Sequence, residues 1–232
     1  MTEKRVPKHI GIIMDGNGRW AKERGKPRSY GHKKGADILE SVVDACAKHG
    51  VNIVSLYAFS TENWSRPQDE IDTLFDILRK FLKKYRKKLL SDKRRLTISG
   101  DILKLPDDLR TECEKCIETT KDFTNGTFNI ALNYGSRQEI VYAVNRLIGK
   151  GKTEITAEDI QSELYTSTLP DIDLVIRTSG EQRLSNFFLW QCAYAELYFT
   201  DTYWPDFNEE ELVKALDWYA SRNRRYGGIE NK

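Results

Sequence analysis

The chain has 232 residues, of which 39% are hydrophobic and 31% are charged. This composition predicts one globular domain spanning residues 1–232 and excludes a disordered or fibrous chain. Lysine and arginine number 37 against 35 acidic residues, a net charge of +2, which gives no overall argument for a nucleic-acid partner. Because the chain has no apolar run of about 18 residues and its polar start lacks a signal-peptide core, we expect a cytoplasmic protein.

Apolar runs alternate with helical patterns along the chain. Strands are predicted at His9–Met14, Asn52–Phe59, Leu96–Gly100, Thr127–Tyr134, Asp173–Ile176 and Glu196–Phe199. Helices are predicted at Gly35–His49, Pro67–Leu89, Pro106–Phe123, Gln138–Ile148 and Asn208–Arg222. This order predicts an α/β fold with a mainly parallel six-stranded sheet flanked by helices.

The predicted strands end in polar residues, namely Asp15, Ser60, Asp101, Asn133 and Arg177. Ligands of open parallel sheets bind outside the carboxyl ends of the strands. Strand ends are also polar simply because the chain leaves the apolar core there, so polarity alone does not indicate a site. The glycines and arginines that accompany these residues favour a binding site.

The densest cluster is Asp15-Gly16-Asn17-Gly18-Arg19-Trp20. Its glycines allow backbone N–H groups to approach an anion closely, and Arg19 adds a charged donor. Asp15 is a hard oxygen ligand suited to Mg²⁺, although a simple turn with incidental charges is the alternative. Arg28 and His32 follow just ahead of the predicted helix at Gly35, where they could complete a phosphate cradle.

Two further clusters follow later strands. The first, at the end of the second predicted strand, is Tyr57-Ala58-Phe59-Ser60-Thr61-Glu62-Asn63-Trp64-Ser65-Arg66-Pro67, where aromatic and polar groups mix as in a site that binds both hydrocarbon and charge. The second is Arg177-Thr178-Ser179-Gly180-Glu181-Gln182-Arg183-Leu184-Ser185-Asn186, which suits a second diphosphate. Glu196 lies in an apolar stretch and needs a metal or a salt-bridge partner.

The sequence lacks complete motifs for a zinc site, a Walker A loop or a dinucleotide-binding loop. Cys113 and Cys116 form a CxxC inside a helical pattern without a second pair, so we interpret them as ordinary helix cysteines. Gly151-Lys152-Thr153 has Arg146 where a Walker A loop needs glycine, and there is no GxGxxG.

Four segments resemble the cis-prenyltransferase family: His9–Ala21, Tyr57–Trp64, Arg177–Glu181 and Ala195–Phe199. They occur in the family's order over His9 to about Phe207. The resemblance implies a homodimer whose six-stranded sheet borders a hydrophobic tunnel. It also implies a Mg²⁺-dependent condensation of isopentenyl diphosphate with an allylic diphosphate, farnesyl diphosphate, into undecaprenyl diphosphate for a cell-wall lipid carrier.

The resemblance assigns roles residue by residue. Asp15 would be the catalytic carboxylate and a Mg²⁺ ligand, and Glu196 would assist the metal in its own or the partner subunit. The allylic diphosphate would be bound by Gly16, Asn17, Gly18, Arg19, Arg28 and His32, and isopentenyl diphosphate by Arg177, Arg183 and Ser185. The loop that positions the reacting groups would hold Ser60, Asn63, Trp64 and Arg66. Within the same clusters, Trp20, Thr61, Glu62 and Leu184 count as substrate-binding residues.

Several alternatives stay open. Asn63 matches the family's proton-acceptor position but is a weak base, so Asp15 or a phosphate oxygen could accept the proton. Gln182 stands where some relatives have histidine, which argues against an essential role for an imidazole at this position. Rival functions are a noncatalytic prenyl-diphosphate-binding subunit, a nucleotide- or RNA-binding module, and a synthase of a short cis product.

The growing hydrocarbon needs an apolar channel. We expect the helix from Ile71 to Leu89 and the strands holding Ala58 and Ile130 to line it. A basic cluster on that helix comprises Lys83, Lys84, Arg86, Lys87 and Lys88. Such a cluster indicates either a solvated helix face or a peripheral contact with anionic lipid at product release.

Overall fold

Six parallel strands form the centre of the computed structural model, which describes residues 5–222. The strands are β1 (His9–Ile13), β2 (Ile53–Ser60), β3 (Arg95–Ser99), β4 (Thr127–Tyr134), β5 (Leu174–Arg177) and β6 (Glu196–Phe199). The helices are α1 (Asn17–Glu23), α2 (Arg28–Asp37), α3 (Leu39–Lys48), α4 (Gln68–Asp92), α5 (Asp107–Thr120), α6 (Ser136–Gly149), α7 (Ala157–Glu163) and α8 (Glu209–Ala220). The predicted α/β class and parallel sheet are confirmed.

The strand order, β3-β4-β2-β1-β5-β6, places β1 near the middle of the sheet. All five residues of β1 and all four of β5 are buried, as expected for strands covered on both faces. The chain leaves β1 toward β2 on one side and later returns to β5 on the other. This reversal opens a crevice at the carboxyl ends of β1 and β5, where α/β proteins bind ligands.

Apolar side chains cover both faces of the sheet. On one face, Leu56 and Ile130 belong to the large core that includes α4 and α8 residues such as Phe75 and Leu212. On the other face, a smaller core forms around Val175, Phe187 and Phe188. The segment with Phe187 and Phe188 therefore packs on this face of the sheet. The loop that joins β5 to this segment stays at the carboxyl edge.

The start of α2 differs from the sequence prediction. Arg28 and His32 lie inside this helix and not ahead of it, and a separate helix, α3, follows at Leu39. Glycine normally weakens a helix, but side chains at Gly31 and Gly35 would overlap the backbone carbonyl and the side chain of Asn17. The two glycines thus allow α2 to pack closely on α1, and this tertiary contact overrides local propensity.

Helix α7 was not predicted from the sequence. Thr156 and Asp159 form a capping box at its start, with hydrogen bonds of 3.2 Å and 3.1 Å between each side chain and the other residue's backbone N–H. The Thr-x-x-Asp spacing is typical of a helix start and could have predicted α7.

Candidate active site

The carboxyl ends of β1 and β5 bring a carboxylate and a guanidinium into direct contact. Arg177 Nη2 donates to Asp15 Oδ2 at 2.9 Å, and only 4% of the Arg177 side chain is exposed. Its Nη1 donates to Ser185 Oγ at 2.8 Å and to the carbonyl oxygen of Arg183. Arg177 therefore joins Asp15 to the loop that follows β5.

Hydrogen bonds keep Asp15 ionised. Burial alone would raise the pKa of this carboxyl, but the hydrogen bonds from Arg177 and from the Gly16 backbone N–H, with the charges of Arg177 and Arg19, lower it overall. Gly16 adopts φ of 99°, and a side chain there would collide with the Tyr203 ring. Glycine adopts this left-handed conformation without strain, so it can aim its N–H at the Asp15 carboxylate at 2.7 Å.

Arg19, in the first turn of α1, faces the same loop. Its Nη1 donates to Glu181 Oε1 at 3.0 Å, and its Nη2 donates to Ser179 Oγ. Arg183 donates to Oε2 of Glu181. The side chains of Arg19 and Arg183 are 44% and 59% exposed, so both have surface left for a ligand.

A second carboxylate, Glu70 in the first turn of α4, collects three basic groups. Its Oε1 lies 3.3 Å from Arg28 Nη2, 3.3 Å from His32 Nε2 and 2.8 Å from Arg66 Nη1. Burial lowers the pKa of His32, and the attraction of Glu70 opposes this only in part. The imidazole is therefore neutral at pH 7.

The single-turn helix Thr61–Ser65 is held by a reciprocal pair of hydrogen bonds. Asn63 Oδ1 accepts from the Ser60 backbone N–H at 3.0 Å, and the Ser60 side chain accepts from the Asn63 backbone N–H. Trp64 Nε1 donates to Asn133 Oδ1 at 2.8 Å, which fixes the turn to the end of β4. Since the Asn63 amide oxygen already accepts a hydrogen bond, the side chain has its N–H groups left to offer as donors.

A cavity of about 610 Å³ begins at these polar groups and lies between the sheet and α4. Its apolar lining includes Leu56, Ala58, Leu74, Phe75, Leu78, Phe81, Phe128 and Ile130. Of the helix from Ile71 to Leu89 predicted to line an apolar channel, the part from Leu74 to Phe81 borders this cavity, as do Ala58 and Ile130. One end of the cavity thus presents charge and the rest presents hydrocarbon.

Most of the predicted site residues either line the cavity or lie around it. Those that line the cavity are Asp15, Asn17, His32, Ser60, Glu62, Asn63, Arg66, Arg177 and Ser185. Those placed around it are Gly16, Gly18, Arg19, Arg28, Thr61, Trp64 and Arg183. Trp20 is buried, with its Nε1 donating to Asp206 Oδ1 at 2.7 Å, and Leu184 packs on the smaller core, so both contribute to packing beside the site.

Glu196 lies away from Asp15 within one chain. It begins β6 and is in register with Leu174, three residues before Arg177. At about 3.3 Å per residue this sets Glu196 roughly 10 Å back from the carboxyl edge. Its Oε2 instead faces Arg222 Nε at 3.3 Å, so the two carboxylates do not form one site in a single subunit.

The donor set at the carboxyl edge is compatible with Mg²⁺. Within residues 5–222, no three metal-binding side chains converge. Mg²⁺, however, commonly takes one or two carboxylates together with substrate phosphates and water. The Asp15 side chain is 33% exposed. It therefore offers such a carboxylate beside arginines that can bind phosphate.

Sequence reasoning missed several residues of the site. Glu70 went unnoticed because its basic partners Arg28 and His32 are distant in sequence. Asn186, which lines the cavity, donates from Nδ2 to Glu62 Oε1 at 3.0 Å. Tyr57 also lines it and donates to the carbonyl oxygen of Ser185 at 3.3 Å. Both polar residues stood in the quoted clusters and could have been assigned from their positions.

The structure also bears on membrane association. Over the described range, 5–222, no helix combines the length and apolar character that crossing a bilayer requires.

Comparisons with known proteins agree with this geometry. The undecaprenyl diphosphate synthase family model, Prenyltransf, matches residues 13–227. Among curated proteins, isoprenyl transferase of Fusobacterium nucleatum is 54% identical over 99% of both chains, and that of Clostridium perfringens is 46% identical over 99% of this chain and 93% of its own.

Solved structures give the same result. Lavandulyl diphosphate synthase from Lavandula x intermedia, in complex with dimethylallyl diphosphate, superposes with a TM-score of 0.93 at 33% identity, covering 96% of this chain and 99% of that one. A probable undecaprenyl diphosphate synthase from Campylobacter jejuni superposes with a TM-score of 0.82 at 33% identity, covering 97% and 100%. With the charged edge and the apolar cavity, these matches show that the chain belongs to the undecaprenyl diphosphate synthase family of isoprenyl transferases.

Proposed function

We propose that this enzyme condenses isopentenyl diphosphate with an allylic diphosphate, forming cis double bonds and extending farnesyl diphosphate to undecaprenyl diphosphate. The product would serve as a cell-wall lipid carrier. The observation that carries the proposal is the junction of the Asp15–Arg177 pair with an apolar cavity of about 610 Å³. Diphosphate needs the first part of this site, and a prenyl chain needs the second.

The basic residues give the two diphosphates separate places. Gly16 to Gly18, Arg19, Arg28 and His32 would hold the allylic diphosphate, whose C–O bond breaks as the diphosphate leaves. Arg177, Arg183 and Ser185 would hold isopentenyl diphosphate. Guanidinium groups bind phosphate oxygens through paired hydrogen bonds and stabilise the charge that develops on the leaving group.

Asp15 would hold Mg²⁺ together with phosphate oxygens, and Arg177 keeps its carboxylate ionised for that role. Bound Mg²⁺ would act as a Lewis acid that neutralises the growing negative charge of the leaving diphosphate. Asn63 would donate its amide N–H to a substrate because its Oδ1 is already engaged by Ser60. A phosphate oxygen is then the better proton acceptor.

The apolar part of the cavity would receive the growing chain as a tunnel. Each CH₂ removed from water contributes about 0.8 kcal/mol, so successive isoprene units favour entry into the space under α4. Side chains such as Leu78 and Phe81 would set how far the chain advances.

Incubation of the purified chain with farnesyl diphosphate, labelled isopentenyl diphosphate and MgCl₂, followed by product sizing, tests the function. We expect long cis-polyprenyl diphosphates, and their loss when EDTA removes the metal. Products of one or two added units would identify a short-chain synthase. Complete inactivity of the chain with Mg²⁺ present would contradict the proposal and favour a noncatalytic subunit.

The distance of Glu196 from the edge of its own sheet supports a homodimer in which each Glu196 reaches the partner's metal. A mixture of Asp15→Ala and Glu196→Ala chains tests this, because one site of each mixed dimer would keep both carboxylates. Activity should rise above that of either variant alone. No gain after proven subunit exchange would contradict a shared site.

We also propose cytoplasmic location with peripheral lipid contact at product release through the basic cluster of α4. Lys84 and Lys88 lie 3.1 Å and 3.2 Å from Glu40 and Asp44, so internal ion pairs offset part of the cluster's charge. Binding to anionic vesicles that weakens with salt would support lipid contact. Equal binding to neutral vesicles would contradict an electrostatic contact.

A further inference from the structure

The first turn of α4 places a carboxylate between Arg28 and His32, which would hold the allylic diphosphate, and Arg66 of the neighbouring loop. We propose that Glu70 is an internal stand-in for a phosphate. It occupies the cradle formed by Arg28, His32 and Arg66 while the site is empty, and it leaves that cradle when the allylic diphosphate enters. This inference rests on the proposed function, since it takes the cradle to be the allylic diphosphate site.

The geometry is that of a bound anion. Glu70 Oε2 lies 3.2 Å from Arg28 Nε, while its Oε1 lies 3.3 Å from Arg28 Nη2, so both carboxylate oxygens meet one edge of the guanidinium. Arg66 and His32 approach Oε1 from other sides, at 2.8 Å and 3.3 Å. Phosphate accepts hydrogen bonds from a guanidinium edge in the same paired manner.

Exposure shows that Glu70 and His32, each 12% exposed, are the enclosed members of the cluster. The Glu70 side chain is 12% exposed, whereas Arg28 is 60% exposed and Arg66 is 32% exposed. An incoming diphosphate can therefore reach the guanidiniums from the solvent side. Burial alone would raise the pKa of Glu70, but the hydrogen bond and charge of Arg28, with the charge of Arg66, lower it overall, so Glu70 competes as an anion.

Charge decides which anion the cradle prefers. The two arginines carry two positive charges, His32 is neutral, and Glu70 contributes one negative charge. A diphosphate brings more negative charge and more acceptor oxygens than a carboxylate, so it can displace Glu70. The opposite role, in which Glu70 stays in place and orients the arginines for the ligand, predicts the opposite effect of removing its charge.

Calorimetric titration with inorganic pyrophosphate, in metal-free buffer of low ionic strength, separates these roles. Glu70→Gln keeps the shape of the side chain and removes its charge. We expect this variant to bind pyrophosphate about 3- to 10-fold more tightly than the unmodified chain, because no internal anion has to be displaced. In an Arg28→Gln background the gain should shrink, since fewer cations are released.

Glu163→Gln is the matched control. Glu163 is 10% exposed and likewise pairs with two cations, Arg146 at 2.8 Å and Lys150, but it lies on α7 and does not line the cavity. Its substitution should leave pyrophosphate affinity unchanged. If both variants tightened binding equally, a general change in charge would explain the gain and the inference would be overturned.

Glu70→Asp provides a second variant should Glu70→Gln fold poorly. It retains the negative charge at the start of α4 and shortens the side chain by one methylene, so it cannot reach all three basic groups. We expect about 2- to 3-fold tighter pyrophosphate binding. Unchanged or weaker binding in the folded Glu70 variants, or no pyrophosphate binding by the unmodified chain, would overturn the stand-in role.

The condensation assay keeps the two proposals apart. If the unmodified chain elongates farnesyl diphosphate but Glu70→Gln gains no affinity for pyrophosphate, only the stand-in role fails. If no elongation occurs with Mg²⁺ present, the proposed function fails whatever the titration shows.

Discussion

Two sets of hydrogen-bonded polar residues lie in the same sheet. They differ in whether hydrogen-bond donors are left without a partner inside the protein. The first, the buried polar chain, comprises the buried His9, Ser55, Asn129 and Ser99 with the half-buried Thr97, and it crosses four strands. His9 Nδ1 lies 2.8 Å from the carbonyl oxygen of Pro170, which can only accept, so Nδ1 carries the proton. His9 Nε2 then accepts from Ser55 Oγ at 2.7 Å.

The rest of the buried polar chain follows from this tautomer. Ser55 Oγ accepts from Asn129 Nδ2 at 2.9 Å. Asn129 Oδ1 accepts from Thr97 Oγ1 at 3.0 Å and from Ser99 Oγ at 3.1 Å. The hydrogen bonds run in a single consistent direction and fix β1, β2, β4 and β3 relative to one another.

The second group, at the carboxyl edge, is incomplete by itself. Arg177 Nε is buried without a hydrogen-bond partner among the residues that the structure describes. Ser179, Ser185 and Asn186 adopt left-handed backbone conformations with φ of 75°, 49° and 62°, which are costly at sites other than glycine. Strain and unused hydrogen-bonding capacity at this edge indicate a surface built for substrates, whereas the buried polar chain serves the fold.

The largest expected effect separates the two groups directly. Asp15→Asn removes the negative charge at the carboxyl edge while keeping the shape of the side chain. We expect condensation to slow by about 10³-fold or more, because the metal-binding charge is lost. The melting temperature should fall as well, because Arg177, whose side chain is only 4% exposed, loses its charged partner, so turnover is compared per folded molecule.

Asp76→Asn is the matched control for that experiment, since Asp76 is 64% exposed and pairs with Arg79 on α4. Its turnover should stay within about twofold of the unmodified chain. If Asp15→Asn retained substantial turnover, the distinction between the edge and the interior would lose its functional basis.

Asn129→Ala should show the reverse pattern. It removes the centre of the buried polar chain and leaves Ser55, Thr97 and Ser99 short of partners, so we expect a loss of about 2–4 kcal/mol in the free energy of unfolding. Urea unfolding measures this loss. Turnover per folded molecule should be retained. A large fall in turnover at unchanged stability would instead mean that the buried polar chain has a catalytic role.

The same contrast explains what the sequence could and could not predict. The strands β1 and β5 were recognisable because they are continuous apolar runs, and the cluster from Asp15 to Arg19 was recognisable because its residues are consecutive. The sheet order then brought Asp15 and Arg177 together by a general property of parallel sheets. The edge of the sheet was therefore largely predictable.

Side-chain pairings away from the carboxyl edge of the sheet were not predictable. Glu70 has its role only because α2 packs beside α4, and α2 itself begins early because Gly31 and Gly35 fit against Asn17. The buried polar chain joins His9 to Asn129 across the sheet, and isolated polar residues within apolar strands give no signal of their partners. Local patterns revealed the elements, whereas tertiary contacts determined these pairings.

The pH dependence of stability should come in part from His9. Burial lowers the pKa of His9, and its hydrogen bond to Pro170 with the charge of Asp173 opposes this only in part. Below its unfolded value of 6.5, the unfolded chain takes up a proton that the folded chain resists, so stability falls as pH drops. The slope should reach at most about 1.4 kcal/mol per pH unit.

The comparison between the unmodified chain and His9→Gln isolates this contribution, because all other titrating groups are shared. Urea unfolding at several pH values between about 7 and 5 should show a shallower pH dependence for the variant. Parallel curves would mean that His9 is protonated equally in both states and would contradict its place in the buried polar chain.

Thr97→Val should have the smallest effect, because it removes the outermost donor of the buried polar chain and keeps the size of the side chain. Asn129 Oδ1 would still accept from Ser99 Oγ at 3.1 Å, so no buried group loses its last partner. We expect a cost of no more than about 1 kcal/mol in urea unfolding and unchanged turnover. A cost as large as that of Asn129→Ala would show that Asn129 Oδ1 needs both hydroxyl donors.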